Sequence, residues 1–153
     1  MTFTTASDSF EKTVQIAENI GKKLRGGEVF ELISDLGGGK TAFVRGLNKG
    51  FGSNDPVASP TFTINFVYTR KDGKKLHHYD FYRLDDAGII AHELIEAIED
   101  AGSVVVVEWG EVVQNVLPAN KVTLEIKHTG ENNRRLNFSI PENLGYLLGG
   151  IKK

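Results

Sequence analysis

Three adjoining stretches limit what this chain can fold into more than anything else in it. Glu28-Val29-Phe30-Glu31-Leu32-Ile33 is rich in β-branched and aromatic side chains, as a strand running into a core is. Phe43, Val44, Leu47 and Phe51 recur at helical spacing, with Gly50 and Gly52 supplying a stop. Between strand and helix lies Ser34-Asp35-Leu36-Gly37-Gly38-Gly39-Lys40-Thr41. Consecutive glycines let a backbone close around an anion with its N–H groups turned inward, and a helix start adds partial positive charge. The lysine and hydroxyl residue follow in the order G-x-x-x-x-G-K-[ST], so Lys40 would reach the β- and γ-phosphates of a nucleotide and Thr41 would ligate Mg²⁺. Ser34 stands where the motif has its first glycine, and a small residue makes that turn if its φ is negative. The plain alternative is a glycine-rich turn ahead of an ordinary helix.

The rest of the composition narrows the class. With 153 residues the chain is long enough for one domain, spanning 1–153, with a sizeable core. A net charge of −2 gives no sign of a cationic nucleic-acid binder acting alone, so any link to RNA would run through partners. The absence of cysteine excludes disulfides, thiolate metal sites and a cysteine nucleophile. Met1-Thr2-Phe3-Thr4-Thr5 lacks the basic and apolar regions of a secretory signal, and no run approaches a membrane span. The cytoplasm is the expected location.

Taken in order, the spacing of Phe10, Val14, Ala17, Ile20 and Leu24 predicts an amphipathic helix from about Ser7 to Leu24, with Asp8 and Glu11 as a capping box. Ser59-Pro60-Thr61-Phe62-Thr63 reads as an extended lead into a strand, or as a switch segment in which Thr61 senses a γ-phosphate. Strands are expected over Phe62–Thr69 and Lys75–Tyr82, joined at the hairpin signal Asp72-Gly73, so part of the sheet would be antiparallel. Alternation puts Leu76, His78, Asp80 and Tyr82 on one face of the second strand, where the His and Asp would share a water or metal-linked site. A paired surface strand explains the same pattern more plainly.

Asp86 to about Asp100 reads as a helix with Ile90, Leu94, Ala97 and Ile98 inward and His92 exposed. Four valines in Ser103-Val104-Val105-Val106-Val107-Glu108 suit a central strand buried on both faces. An acid at the carboxyl end of such a strand offers a hard oxygen to Mg²⁺, or simply marks where the strand meets solvent. Trp109, the only tryptophan, follows directly and would pack in the core or cover the site. Lys121–His128 and Arg134–Ile140 alternate as a second hairpin, and Arg134 and Arg135 would hold phosphate or base, or stay solvated.

Four motifs thus occur in one order: Ser34 to Thr41, Ser59-Pro60-Thr61-Phe62, His78-Tyr79-Asp80-Phe81-Tyr82-Arg83 and Val107-Glu108-Trp109-Gly110-Glu111. Together they resemble the bacterial TsaE family, also called YjeE, over roughly residues 7 to 140. The resemblance implies an α/β fold, a P-loop NTPase three-layer sandwich whose mixed sheet carries added antiparallel hairpins. It implies phosphate and Mg²⁺ binding by Lys40 and Thr41, with Glu108 completing the metal site; from the residues themselves, Asp35, Leu36, Gly37, Gly38 and Gly39 of the loop, and Arg134, join the expected ATP-binding set. Lys40, Thr61, Asp80 and Glu108 would be the catalytic set, Asp80 positioning metal or attacking water and Thr61 belonging to a first switch. The implied role is slow ATP hydrolysis that resets a TsaB–TsaD complex, which transfers threonylcarbamoyl to adenosine 37 of tRNA. The tRNA would be met only through that complex, and no membrane is involved. Family members usually begin the loop with Gly and carry Gly-Ala-Gly before the Lys, and Ser34 and Gly38 depart from both.

Other activities share the loop. A small-molecule kinase would need a lid bearing arginine, for which the chain has no evident insertion. A GTP switch would carry Asn-Lys-x-Asp, whereas Asn48-Lys49-Gly50-Phe51 and Asn120-Lys121-Val122-Thr123 both lack the final Asp. A nucleotide-dependent interaction module without turnover has the same sequence signature as a slow ATPase.

Overall fold

The run Val29–Ile33 forms a strand, and Val29, Phe30 and Leu32 are almost wholly buried. Such a strand needs a neighbour on each side and a layer on each face. The computed structural model supplies both, and it describes every residue except Leu36, Thr61 and Phe62. The elements in order are β1 (Thr2–Ser7), α1 (Phe10–Gly21), β2 (Val29–Ile33), α2 (Lys40–Phe51), β3 (Asn65–Thr69), β4 (Lys75–Asp80), α3 (Ile90–Glu99), β5 (Ser103–Glu108), β6 (Val122–His128) and β7 (Arg134–Ser139). Short 3₁₀ turns cover Gly110–Val113 and Glu142–Leu148.

The strands form one seven-stranded sheet in the order β1-β7-β6-β2-β5-β4-β3. Its centre, β6-β2-β5-β4, is parallel; on one edge β3 pairs antiparallel with β4, and on the other β7 pairs antiparallel with both β6 and β1. The two expected hairpins are the sources of β3 and β7. One face of the sheet carries α1 and α2 over a core that includes Ile20, Phe43, Leu47, Val104, Val106 and Leu124. The other carries α3 over Val105, Val107, Tyr79, Phe81 and Leu94. The four valines of β5 therefore divide between the two cores, and every residue of that strand is buried. This is a three-layer α/β fold with a mixed sheet.

Several boundaries differ from the sequence expectation, each for a local reason. Helix α1 starts at Phe10 because the Ser9 side chain accepts from the Lys12 N–H at 3.1 Å, in place of a box formed by Asp8 and Glu11. Helix α3 starts at Ile90, after Gly88 takes a φ of +53° with its N–H donating to Asp86. Strand β4 stops at Asp80, whose Oδ1 accepts the Tyr82 N–H at 2.8 Å, and Arg83 then turns left-handed at φ +66°. The strand is also no surface element, since His78, Tyr79 and Asp80 are all buried. Strand β1 and the 3₁₀ turn at Glu142–Leu148 were not anticipated. The latter buries Leu144, Leu147 and Leu148.

Gly50 does not stop α2; it lies inside the helix, which ends at a left-handed Gly52. A Cβ on Gly50 would lie 2.1 Å from the Glu18 carbonyl oxygen, one on Gly46 2.2 Å from that of Val14, and one on Gly21 2.2 Å from that of Leu47. Three glycines thus let α1 and α2 meet backbone to backbone, which sets where the first turn of α2 sits. Among the described residues no helix is long and apolar enough to cross a membrane.

Candidate functional site

The parallel strands β2, β5 and β4 all end at the same edge of the sheet, where open α/β folds bind ligands. From β2 the chain turns through Ser34 and the glycines into α2. Gly37 and Gly39 have φ of +73° and +109°, which side chains rarely adopt. Ser34 is absent from the non-glycine residues with positive φ, which among the described residues are Ile64, Arg83 and Trp109, so it makes the turn as expected of a small residue. Its side chain faces Gly38, where an added Cβ would lie 2.4 Å from Ser34 Oγ. The Gly38 N–H is held within the loop by the Asp35 carbonyl at 3.0 Å.

Lys40 opens α2 and is buried, 7% exposed. Its ammonium donates to the carbonyls of Ser34 at 3.1 Å and Asp35 at 3.3 Å, and to Ser34 Oγ at 3.0 Å. It also lies 4.8 Å from the centre of the Trp109 ring. Burial pushes the Lys40 pKa below its ordinary value, and the carboxylates of Glu108, Asp80, Asp35 and Glu111 pull the other way. A positive charge whose hydrogen bonds here go to neutral oxygens can exchange them for those of an anion.

The acids come from the strand ends. Asp80 and Glu108 are register partners across β4 and β5, 4% and 3% exposed. Strand alternation pairs His78 with Asp80. The structure gives the His78 ring to Glu108 instead, with Nε2 2.5 Å from Oε2. Trp109 leaves β5 in a left-handed conformation, φ +55°, and its ring centre lies 4.9 Å from that of Tyr82.

Gly37, Gly38, Gly39, Lys40, Thr41, Asp80, Glu108, Trp109 and Arg134 line one cavity of about 290 Å³, together with Phe10, Ala42 and Ser59. Arg134, at the start of β7, reaches the loop by donating to the Gly38 carbonyl at 3.2 Å. A smaller hollow of about 100 Å³ adjoins it, lined by Ser9, Phe10, Thr13 and Asn132 and sharing Gly39, Ala42 and Arg134. Asp35 contributes its carbonyl to the loop and does not line the cavity. Leu36 and Thr61 lie outside the described residues.

Sequence reasoning did not anticipate Phe10 here. Its place in the helical pattern argued for the core, yet it is 49% exposed with the Arg45 guanidinium 5.3 Å from its ring centre. Its position one residue after the cap was the available signal.

No group of three or more His, Cys, Asp or Glu side chains among the described residues could hold a metal ion unaided. Two carboxylates and a helix-start hydroxyl suit a hard cation that takes its remaining oxygens from phosphate and water, which is the habit of Mg²⁺. The donor set therefore fits the expected ion.

Comparison with known proteins follows the same lines. A family profile described as "Threonylcarbamoyl adenosine biosynthesis protein TsaE" matches residues 7–136. The tRNA threonylcarbamoyladenosine biosynthesis protein TsaE of Bacillus subtilis is 34% identical over 131 residues, which are 84% of this chain and 80% of that protein. The protein of the same name from Treponema pallidum is 36% identical over 134 residues, 85% of this chain and 95% of that one. The crystal structure of Bacillus subtilis YdiB aligns at a TM-score of 0.78 and 30% identity, covering 96% of this chain and 91% of that one.

Proposed function

The chain belongs to the TsaE family of threonylcarbamoyl adenosine biosynthesis proteins, and from that premise we propose that it is a P-loop ATPase of the tRNA modification. In this reading it binds Mg-ATP on residues 34–41 and hydrolyses it slowly. It does so in the cytoplasm, in support of threonylcarbamoyl transfer to adenosine 37 of tRNA by a TsaB–TsaD complex. One observation carries the reading: a single cavity collects the glycine loop, Lys40, Thr41, two strand-end carboxylates and Arg134.

Each residue then has a task. Lys40 gives up its neutral partners for phosphate oxygens, because an anionic acceptor adds Coulomb attraction to bonds that the ammonium already charge-assists. Glycine N–H groups and the start of α2 hold the phosphates without side-chain reorganisation. Thr41 and Glu108 hold Mg²⁺, which when bound neutralises charge on the β- and γ-phosphates. Asp80, at the neighbouring strand end, would help position the metal or the attacking water, and Arg134 meets negative charge from the side of β7. Thr61, in the segment leading to β3, senses the γ-phosphate. The hollow beside Phe10 offers an aromatic ring and polar groups to the remainder of the nucleotide.

Phosphate release from ATP, measured with the protein alone and with added TsaB and TsaD, tests the proposal. Slow release alone and a changed rate with both partners is expected. Transfer of phosphate to an added metabolite, or ATP left intact in every mixture, would contradict it.

A further inference from the structure

His78 lies in the middle of β4, two residues before Asp80 and on the same face, and it is completely buried. Apart from the acids at the strand ends, the neighbours named on that face are apolar or aromatic. Leu76 precedes it, Val106 is its register partner on β5, and the Tyr68 ring centre lies 6.4 Å away on β3. An imidazole in such a place costs free energy relative to a hydrocarbon of similar shape unless its polar atoms are engaged. Only one of them is. Nε2 meets Glu108 Oε2 at 2.5 Å, while Nδ1 is buried with no hydrogen-bond partner among the described residues.

The pairing has a direct consequence for Glu108. A carboxylate accepts, so Nε2 carries a proton and donates it to Glu108. The bond anchors Oε2 on the helix α1 and α2 side of the sheet. The carboxylate is thereby held in one rotamer at the tip of β5, beside Asp80 and within the cavity that Lys40 also lines. Glu108 has no other hydrogen bond that would fix it in this way among those between described residues. A glutamate side chain left unheld would have to give up rotamer freedom each time it took a cation.

We infer that His78 is a positioning residue, which holds Glu108 by its Nε2–H so that the carboxylate is preset to receive the divalent cation accompanying a nucleoside triphosphate. The inference rests on the assignment of Glu108 to the metal made above. Groups that orient a metal ligand through its far side are typically worth about 10- to 100-fold in metal affinity. The effect falls on the cation and not on the phosphates, because among the described residues the bonded partner of the His78 ring is Glu108 and not a residue of the loop.

The test is calorimetric, with no turnover involved. ATP is titrated into the intact protein in excess EDTA and at a series of Mg²⁺ concentrations, for wild type, His78→Leu, His78→Gln and His78→Asn. The glutamine amide nitrogen can take the place of Nε2, whereas the asparagine amide is too short to reach Glu108. The expected result is a rise of about 10-fold or more in the Mg²⁺ needed for half-maximal enhancement in His78→Leu and His78→Asn, with EDTA affinity within about two-fold of wild type and His78→Gln close to wild type. A His78→Leu titration matching wild type would overturn the inference alone. So would equal loss with and without Mg²⁺, which marks general damage, or equal behaviour of the Gln and Asn variants. The Gln and Asn pair decides the matter if His78→Leu does not fold. A wild-type protein whose ATP binding ignores Mg²⁺ would remove the premise about Glu108, and the inference with it.

Discussion

Gly46→Ala sets two rules against each other and shows which one positions the site. In the interior of a helix, replacing Gly by Ala is worth about 1 kcal/mol in favour of the folded state. Gly46 lies inside α2, so helix propensity alone predicts a more stable protein. The structure predicts the opposite. The new Cβ would lie 2.2 Å from the Val14 carbonyl oxygen, 2.9 Å from the Val14 carbonyl carbon and 2.7 Å from the Ala17 Cβ. Two of these three atoms are backbone, so no rotamer change relieves the contact and the helices must separate. Overpacking costs about 1–3 kcal/mol, and a rigid backbone contact places this case at about 3 kcal/mol. After the propensity gain the variant should be about 2 kcal/mol less stable, which for a chain of this size lowers Tm by about 4–8 °C. Urea unfolding followed by circular dichroism measures the difference, and an unchanged m-value would show that the unfolding transition itself is the same. Since α2 begins with Lys40 and Thr41, nucleotide affinity should fall as well. A variant as stable as wild type, or more so, would refute the backbone-to-backbone packing of α1 and α2.

Three further outcomes follow from the site and its surroundings. Gly38→Ala should weaken ATP binding at least about 10-fold by crowding Ser34, and adding Ser34→Gly should restore only part of it, because the Asp35 carbonyl, 2.8 Å from the new Cβ, remains. Trp109 fluorescence should change on ATP addition as Lys40 leaves its ring for phosphate, and a silent signal would separate the ring from the nucleotide. The Asp72 carboxyl is held down to about 2 by paired hydrogen bonds from Arg70, against 3.8 ordinarily. Its folded pKa is depressed, so its contribution to stability is present above about pH 4 and is lost as pH falls through about 2. The stability gap between wild type and Asp72→Asn, read by urea melts, should therefore close between pH 5 and pH 2, and a gap independent of pH would count against the pairing.

What the sequence made legible were the features whose physics is local. The strand, loop and helix around Ser34 to Thr41 each follow from residue type and spacing, and so does the doubly buried β5 from its four valines. Asp72-Gly73 announced the β3–β4 hairpin, where Gly73 takes a φ of +88°. The rest depends on partners far along the chain. Strand β1 has one large apolar residue, Phe3, and becomes a strand only because β7 offers it an edge, with Thr2 opposite Ser139. Gly21, Gly46 and Gly50 read as neutral or as helix breakers until α1 lies against α2. His78 illustrates the limit within the site. Alternation correctly set it on the face of Asp80, but only the parallel register of β4 with β5 brings it to Glu108, and strand order is not written in periodicity.

The central claim is that the loop from Ser34 to Thr41 grips a nucleotide's phosphates through Lys40. Calorimetric titration of ATP with Mg²⁺ into wild type and Lys40→Ala addresses it directly, with circular dichroism to establish that both are folded. Saturable binding by wild type, strengthened by Mg²⁺, is expected, with a loss of at least about 100-fold in a Lys40→Ala protein that keeps its fold, since the charge-assisted bonds to phosphate go with the ammonium. Equal affinity in the two proteins, or no binding by wild type, would contradict it.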